Sequence, residues 1–299
     1  MKIDLHIHSK NSDGDDTVGE LVPKISEAGI SVFSLTDHDR TDGWAQAADL
    51  ANELGLSFIP GVEITTKGYF PGVKPIGIHL LAYLVNPEHL GLSTFLKQNR
   101  EARDLRIRKF IENLAETYTG LSYDLVVSVA QEDSTLGRPD LANALVHLGE
   151  FDSAPQVWES GILSKGGPYY VSTKVPDVKD VITAVREAGG VPVIAHPLAR
   201  DENGEDDTPQ EFNIDHFEEL VEAGLLGLET NHIEVTPERK LVFDAFAKKH
   251  NLVTTGSSDY HGLKIKPENC LGKRTTDVSA LKRILALGTG VKATLNHSF

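Results

Sequence analysis

A chain of 299 residues with 40% hydrophobic and 24% charged side chains is long enough, and ordinary enough in composition, for one large α/β domain or a barrel with an insertion. Its formal net charge of −15 argues against a surface that holds long duplex nucleic acid, because phosphate backbones are bound mainly by clustered Lys and Arg, but it admits a small anionic substrate. Cys270 is the only cysteine, no apolar run is long enough to span a bilayer, and no basic, apolar leader precedes Asp4, so a soluble, cytoplasmic protein without membrane contact is expected.

The chain opens on "KIDLHIHSKNSDGDD". Ile3, Leu5 and Ile7 alternate with Asp4, His6 and His8, so a strand puts the three polar side chains on one face, where two imidazoles can converge on one point. Asp13 follows after a short polar loop and can turn back toward the end of that strand. Taken alone, the pattern also describes an amphipathic edge strand with two surface histidines. Thr17 and Glu20 have capping-box spacing, and the helix they start runs to Gly29. "SVFSLTDHD" reads as a buried strand, a helix runs from about Trp44 to Leu54 with Gly55 as its stop, and "LSFIPGVEI" and "IGIHLLAYL" read as the third and fourth strands.

From about Leu92 to Tyr170 the signals are helical, beginning with an amphipathic helix through Ile107, Phe110, Ile111 and Leu114; "GRPDLANALVHLG" starts another, with Pro139 suited to its first position. The expected organisation is therefore residues 1–91 as the first part of the main domain, 92–170 as a helical insertion that forms a lid or substrate domain, and 171–299 as the second part. Alternation resumes with a helix from Asp177 to Ala188, the strand "VPVIAHP", a helix from about Asp215 to Ala223, the strand "GLLGLETNH", a Pro-started helix in "TPERKLVFDAFAKKH", the strand "LVTTGSSDYHG" and a helix from Ala280 to Leu287. Strands alternating with helices imply a parallel sheet, and seven or eight such units imply a barrel. "DENGEDD" at Asp201 to Asp207 reads as a solvated loop.

Six of the 12 histidines, His6, His8, His38, His79, His196 and His261, fall at strand ends or within strand motifs, and Asp13, Glu63 and Asp259 occupy similar places. In parallel α/β barrels the C-terminal rim carries the active site. Nitrogen and oxygen ligands without thiolate suit Zn, Mn or Fe, with Mg also admitted, and nine candidates suit two or three ions rather than one. Such a centre draws an anion. His147, His216, His250 and His297 read as surface residues, and His232 is ambiguous.

At this point "DLHIHSKNSDG", "LTDHD", "GVEI", "HLLAY", "AHP" and "SSDYH", in that order, resemble the successive signatures of the polymerase and histidinol phosphatase (PHP) family. The resemblance covers residues 1 to about 90 and about 175 to 265. It implies a distorted seven-stranded β/α barrel, TIM-like, with a trinuclear metal site: one ion held by His6, His8, Glu63 and Asp259, a second by Glu63, His79 and His196, a third by Asp13, His38 and His261, with Glu63 bridging two of them. It also implies metal-dependent hydrolysis of a phosphate ester, with a hydroxide bridging two ions as the nucleophile.

Within the family, "GRPDLANAL" and "AGGVPVIAHP" look most like the subgroup that hydrolyses nucleoside 3′,5′-bisphosphates, for example to AMP and phosphate, and short 5′-phosphorylated oligoribonucleotides. "AHPLAR" puts Arg200 one residue later than the subgroup's usual arginine. Arg138, ahead of Pro139 at a helix N-terminus, is the candidate phosphate anchor outside the metals; Arg103, Arg200 and His232 are further substrate-binding candidates. Arg103 also reads as part of a solvated basic face with Arg100, Arg106 and Arg108, balanced by Glu101 and Asp104. Two rival classes stay open: a histidinol phosphatase or other metal-dependent hydrolase such as an amidohydrolase, and a metal-binding domain without turnover.

Overall fold

The computed structural model describes residues 1–130, 136–197 and 213–298; Arg200 and the acidic run Asp201–Asp207 lie outside them. The chain divides into two compact units, one formed by Met1–Leu96 with Pro176–Phe299, the other by Lys97–Val175.

The first unit begins with β1 (Lys2–Ile7), α1 (Val18–Glu27), β2 (Ile30–Leu35), α2 (Trp44–Glu53) and β3 (Ser57–Phe58). Thr17 and Glu20 close a reciprocal capping box on α1, and Gly29 and Gly55 follow the two helices at φ 71° and 68°, left-handed turns that glycine adopts without Cβ strain. These strands form a parallel sheet in the order β1-β2-β3. The predicted strand "LSFIPGVEI" is in fact two. Pro60 has no N–H to continue the ladder, and beyond it the chain leaves β2 and starts β4 (Gly61–Gly68) in a different sheet.

That second sheet runs β4-β5-β6-β7-β8, with β5 (Ile76–Tyr83), β6 (Val191–Ile194), β7 (Gly227–Asn231) and β8 (Val253–Gly256). It is not the all-parallel sheet that the alternation implies, because β4 pairs antiparallel with β5 over eight residue pairs, and β5 antiparallel with β6. Residues 69–75 join β4 to β5, and so short a link can close a hairpin but not a parallel crossover, which needs about a dozen residues or more. The β6-β7 and β7-β8 pairs are parallel. Two isolated parallel bridges, Ile7 to Tyr260 and His38 to Glu63, tie the two sheets together.

Helices cover the sheets. α7 (Val178–Glu187), capped by Asp177, buries Val181, Ile182 and Val185 against Ile64, Leu80 and Ile194. After a 3-10 turn (Ile214–Phe217) come α8 (Glu218–Glu222) and α9 (Pro237–Lys249), which place Phe217, Leu220, Phe243 and Phe246 in the same core, and α10 (Val278–Leu287) packs Leu281 and Ile284 with Ile3, Leu5 and Val253. Burying such side chains contributes roughly 1.5 to 3 kcal/mol each.

The second unit is helical: the later turns of α3 (Leu90–Ala115), then α4 (Tyr123–Val129), α5 (Arg138–His147) and α6 (Ala154–Glu159), with no strand among the described residues. Its core includes Ile107, Phe110, Leu114, Leu141, Leu145 and Val157. α3 serves both units in turn, since Leu92 and Leu96 pack with Val181 and Val185 of the first. No helix among the described residues is long and apolar enough to cross a membrane.

Candidate metal centre

The period of two in β1 brings His6 and His8 side by side, both fully buried. The loop after them is pinned by the buried carboxylate of Asp37, which accepts from Ser9 N at 2.8 Å, Ser9 Oγ at 2.7 Å and Ser12 Oγ at 2.7 Å. Gly14 is required there, since a Cβ would come within 2.6 Å of the His8 carbonyl oxygen. This tight loop returns Asp13 to the histidines. His38 follows β2, His196 follows β6, and Asp259 and His261 follow β8, while Glu63 and His79 stand within β4 and β5. His196 and Asp259 have φ of 24° and 52°, strained values for residues with a Cβ, held in part by Asn269 Nδ2 donating to Asp259 O at 3.0 Å.

The structure brings eight of the nine residues together as three overlapping groups: His8, Asp13, His38 and His261; His6, His8, Glu63 and Asp259; and His38, Glu63 and His79, where His38 takes the place expected of His196. In the second group His6 Nε2 lies 3.0 Å from His8 Nε2, and each of these nitrogens lies 3.2 Å from Glu63 Oε2 and 3.3 Å from Asp259 Oδ1. A tetrahedron of such edges has its centre about 2.0 Å from each corner, the Zn–N and Zn–O bond length. One hydrogen bond can join the two ring nitrogens, but two buried carboxylate oxygens converge on the same point, and a divalent cation there would satisfy all four atoms at once. His79 Nδ1 is buried without a hydrogen bond, although Glu63 Oε1 is 3.0 Å away. His196 Nε2 lies 3.2 Å from the same oxygen, and Asp13 meets His38 and His261 at 3.5 and 3.3 Å. The donor set fits divalent ions of the Zn, Mn and Fe type.

Burial disfavours the charged forms of His8, Glu63 and Asp259, yet mutual attraction overrides it. For His8 the hydrogen bonds of Asp259 and Glu63 outweigh burial and push the ring up to about 9. For Glu63, burial is outweighed by His38, His6 and His79, which hold it well below the usual carboxylate range; for Asp259, Lys266, His261 and His6 do the same. The carboxylates are thus ionised ligands, and an arriving ion displaces protons only from histidines.

The other candidates lie elsewhere. Arg138 is in the second unit, where its Nη1 donates to Leu163 O at 3.3 Å and its guanidinium lies over Trp158. At the start of α5, Asp140 Oδ2 accepts from Gly137 N at 2.7 Å and Pro139 has no N–H, which leaves fewer backbone donors for an anion than a helix N-terminus ordinarily offers. Arg103 is half-buried in α3, near Arg106, which donates to Val171 O, and Arg108, which pairs with Asp104 at 2.8 Å. His232 is fully buried at the centre: its Nδ1 accepts from Glu234 N at 3.2 Å, and its Nε2 lies 3.5 Å from Asp259 Oδ2.

Two residues of the centre escape sequence reasoning. Lys266 Nζ donates to Asp259 Oδ2 at 2.7 Å, leaving Oδ1 for the ligand group; in "HGLKIKPE" it reads as a loop lysine. Glu229 accepts from His6 Nδ1 at 3.1 Å and from His196 N at 2.9 Å. The only signal for it is a carboxylate in the middle of an otherwise uncharged strand, "GLETN".

A family model described as the PHP domain matches residues 4–132. A structure from Bifidobacterium adolescentis, provisionally described as a metal-dependent phosphoesterase, is 31% identical, with a TM-score of 0.84 and 96% of each chain covered. The phosphoribosyl 1,2-cyclic phosphate 1,2-diphosphodiesterase of Eggerthella lenta is 27% identical over 87% of this chain and 94% of its own. The 3′,5′-nucleoside bisphosphate phosphatase of Chromobacterium violaceum is 29% identical over 87% of each. Likeness over nearly whole chains, to relatives that all act on phosphate esters or are so described, agrees with the chemistry of the donor set: the chain belongs to the PHP family of metal-dependent phosphoesterases.

Proposed function

We propose that the protein removes the 3′-phosphate of nucleoside 3′,5′-bisphosphates, with short 5′-phosphorylated oligoribonucleotides as a second substrate class. The observation that carries the reading is Glu63: its Oε2 faces His6, His8 and His38, and its Oε1 faces His79 and His196, so one buried carboxylate serves two groups of ligands. His6, His8, Glu63 and Asp259 would hold one ion, Glu63, His79 and His196 a second, and Asp13, His38 and His261 a third. Such ions, of Mn, Zn or Fe, supply water acidified toward neutral pH and stabilise charge on phosphate oxygens. Lys266 keeps Asp259 Oδ1 aimed at the histidines by binding its other oxygen, and Asp37 keeps the Asp13 loop closed.

The relative that is named a 3′,5′-nucleoside bisphosphate phosphatase supports the substrate, as does "GRPDLANAL". We assign the second unit the task of selecting substrate, since the chain leaves for it after β5, which carries His79, and returns before β6, which leads to His196; Arg138 would hold the 5′-phosphate. The two bridges between sheets support a distorted seven-stranded barrel of β1, β2 and β4 to β8, with β3 outside it. A cytoplasmic setting rests on the single cysteine. A second reading, hydrolysis of a cyclic sugar phosphodiester, is favoured by the match to the Eggerthella lenta enzyme. Phosphate release with Mn²⁺ from a nucleoside 3′,5′-bisphosphate, and product formation from a 5′-phosphorylated oligoribonucleotide, histidinol phosphate and a cyclic ribose phosphate, tests both. Faster turnover of the cyclic diester or of histidinol phosphate than of the bisphosphate would replace the substrate assigned here.

A further inference from the structure

Glu229 lies in the middle of β7, between β6 and β8, and is fully buried. A carboxylate in such a place is costly unless every oxygen is satisfied. Three donors satisfy it: His6 Nδ1, 3.1 Å from Oε1 and 3.3 Å from Oε2; the backbone N of His196, 2.9 Å from Oε2; and Ser257 Oγ, which donates to Oε1. An ionised carboxylate only accepts, so the proton in the contact with His6 is on Nδ1. In the neutral ring, the form that binds an ion, Nε2 then carries the lone pair, and that nitrogen is the one that faces His8, Glu63 and Asp259. The other contact holds the chain at His196, whose φ of 24° needs support from its surroundings.

We propose that Glu229 is a positioning residue of the metal centre, fixing the tautomer and ring orientation of His6 and the strained backbone of His196, so that two ligands from different strands meet the ions correctly. The inference rests on the metal reading given above and adds to it the residue on which that geometry depends. Glu229→Gln is the informative variant. A Gln side chain has one acceptor oxygen, while three donors face this position, so its NH₂ must oppose one of them. Turned toward His6, it requires Nδ1 to accept and moves the proton to Nε2, which blocks ligation; turned toward His196, it pushes that backbone away.

Calorimetric titration of chelator-treated protein with Zn²⁺, with far-UV circular dichroism to check the fold, should show the tightest ion bound 10- to 100-fold more weakly in Glu229→Gln than in the wild type. A merely structural role would lower the melting temperature and leave the dissociation constants where they were. A second measurement needs no variant: nitrogen-15 spectra of histidine-labelled, Zn-loaded wild type should show His6 protonated at Nδ1, with a slowly exchanging proton, and ligated through Nε2. Ligation through Nδ1, or an affinity unchanged in the folded variant, overturns the proposal while the metal centre stands. Wild-type protein that takes up no ion overturns both together.

Discussion

Replacing Glu63 with Gln keeps the size of the side chain and removes the charge on which five imidazoles converge. Its oxygens lie 3.0 to 3.2 Å from ring nitrogens of His6, His8, His38, His79 and His196, and it is the only carboxylate that belongs to two of the three ligand groups. In the metal-free protein the loss leaves the buried rings of His6, His8 and His196, which are held above the usual histidine range, without a partner, which costs about 3 to 5 kcal/mol. At about 2 to 4 °C per kcal/mol for a chain of this order of size, the melting temperature should fall by about 6 to 20 °C. The sign with pH follows from the direction of the shift. The histidines hold Glu63 well below 4.5 against the opposing effect of burial, so its contribution is present above that pH and is lost only as pH falls through the lower folded value. The deficit of the variant should therefore be constant between about pH 5 and 6.5, and shrink in stronger acid as Glu63 protonates and above that window as its histidine partners lose their charge. In metal-supplemented protein, elemental analysis should find Glu63→Gln depleted of ions at two sites, whereas Asp13→Asn, which touches one group, is depleted at one. Equal ion counts in Glu63→Gln and the wild type, or equal losses in the two variants, would refute the bridging role.

Three further outcomes follow from the same geometry. His8 stands at about 9 rather than 6.5, which corresponds to about 3 kcal/mol present below pH 6.5 and lost as pH rises through 9; thermal melts in chelator should fall across that window, and melts in Mn²⁺, where the ring is neutral and ligated, should not. Parallel profiles would contradict it. Arg138→Ala should lower kcat/KM on a nucleoside 3′,5′-bisphosphate by about one to two decades, the effect of about 1.5 to 3 kcal/mol from a charge-assisted hydrogen bond, and change a 3′-monophosphate little; an equal loss on both removes Arg138 as the 5′-phosphate anchor. Replacing residues 97–175 by a short linker should retain ion binding, since all nine ligand candidates lie in the other unit, and abolish preference for nucleotides over a small aryl phosphate. Starting the deletion at Leu92 instead should also destabilise the first unit, because Leu92 and Leu96 pack in its core.

Local rules carry much of this protein, and they act over a few residues at a time. The alternation in "DLHIH" places His6 and His8 on one face whatever lies around them, and Thr17, Gly29 and Gly55 delimit helices through bonds and backbone angles that involve only their neighbours. Ligand-type residues at strand ends were legible for the same reason. What needed the tertiary structure is everything that depends on which strands meet. Pro60 splits a continuous apolar run between two sheets, and β4 and β5 turn antiparallel because the link between them is short, so Glu63 and His79 face each other across a hairpin rather than from successive parallel strands. His232, Lys266 and Glu229 could not be sorted from ordinary polar residues, since their roles rest on contacts that span up to 223 positions of sequence. A buried carboxylate such as Glu229 is stable only where three donors from distant segments arrive together, and no local pattern records their arrival.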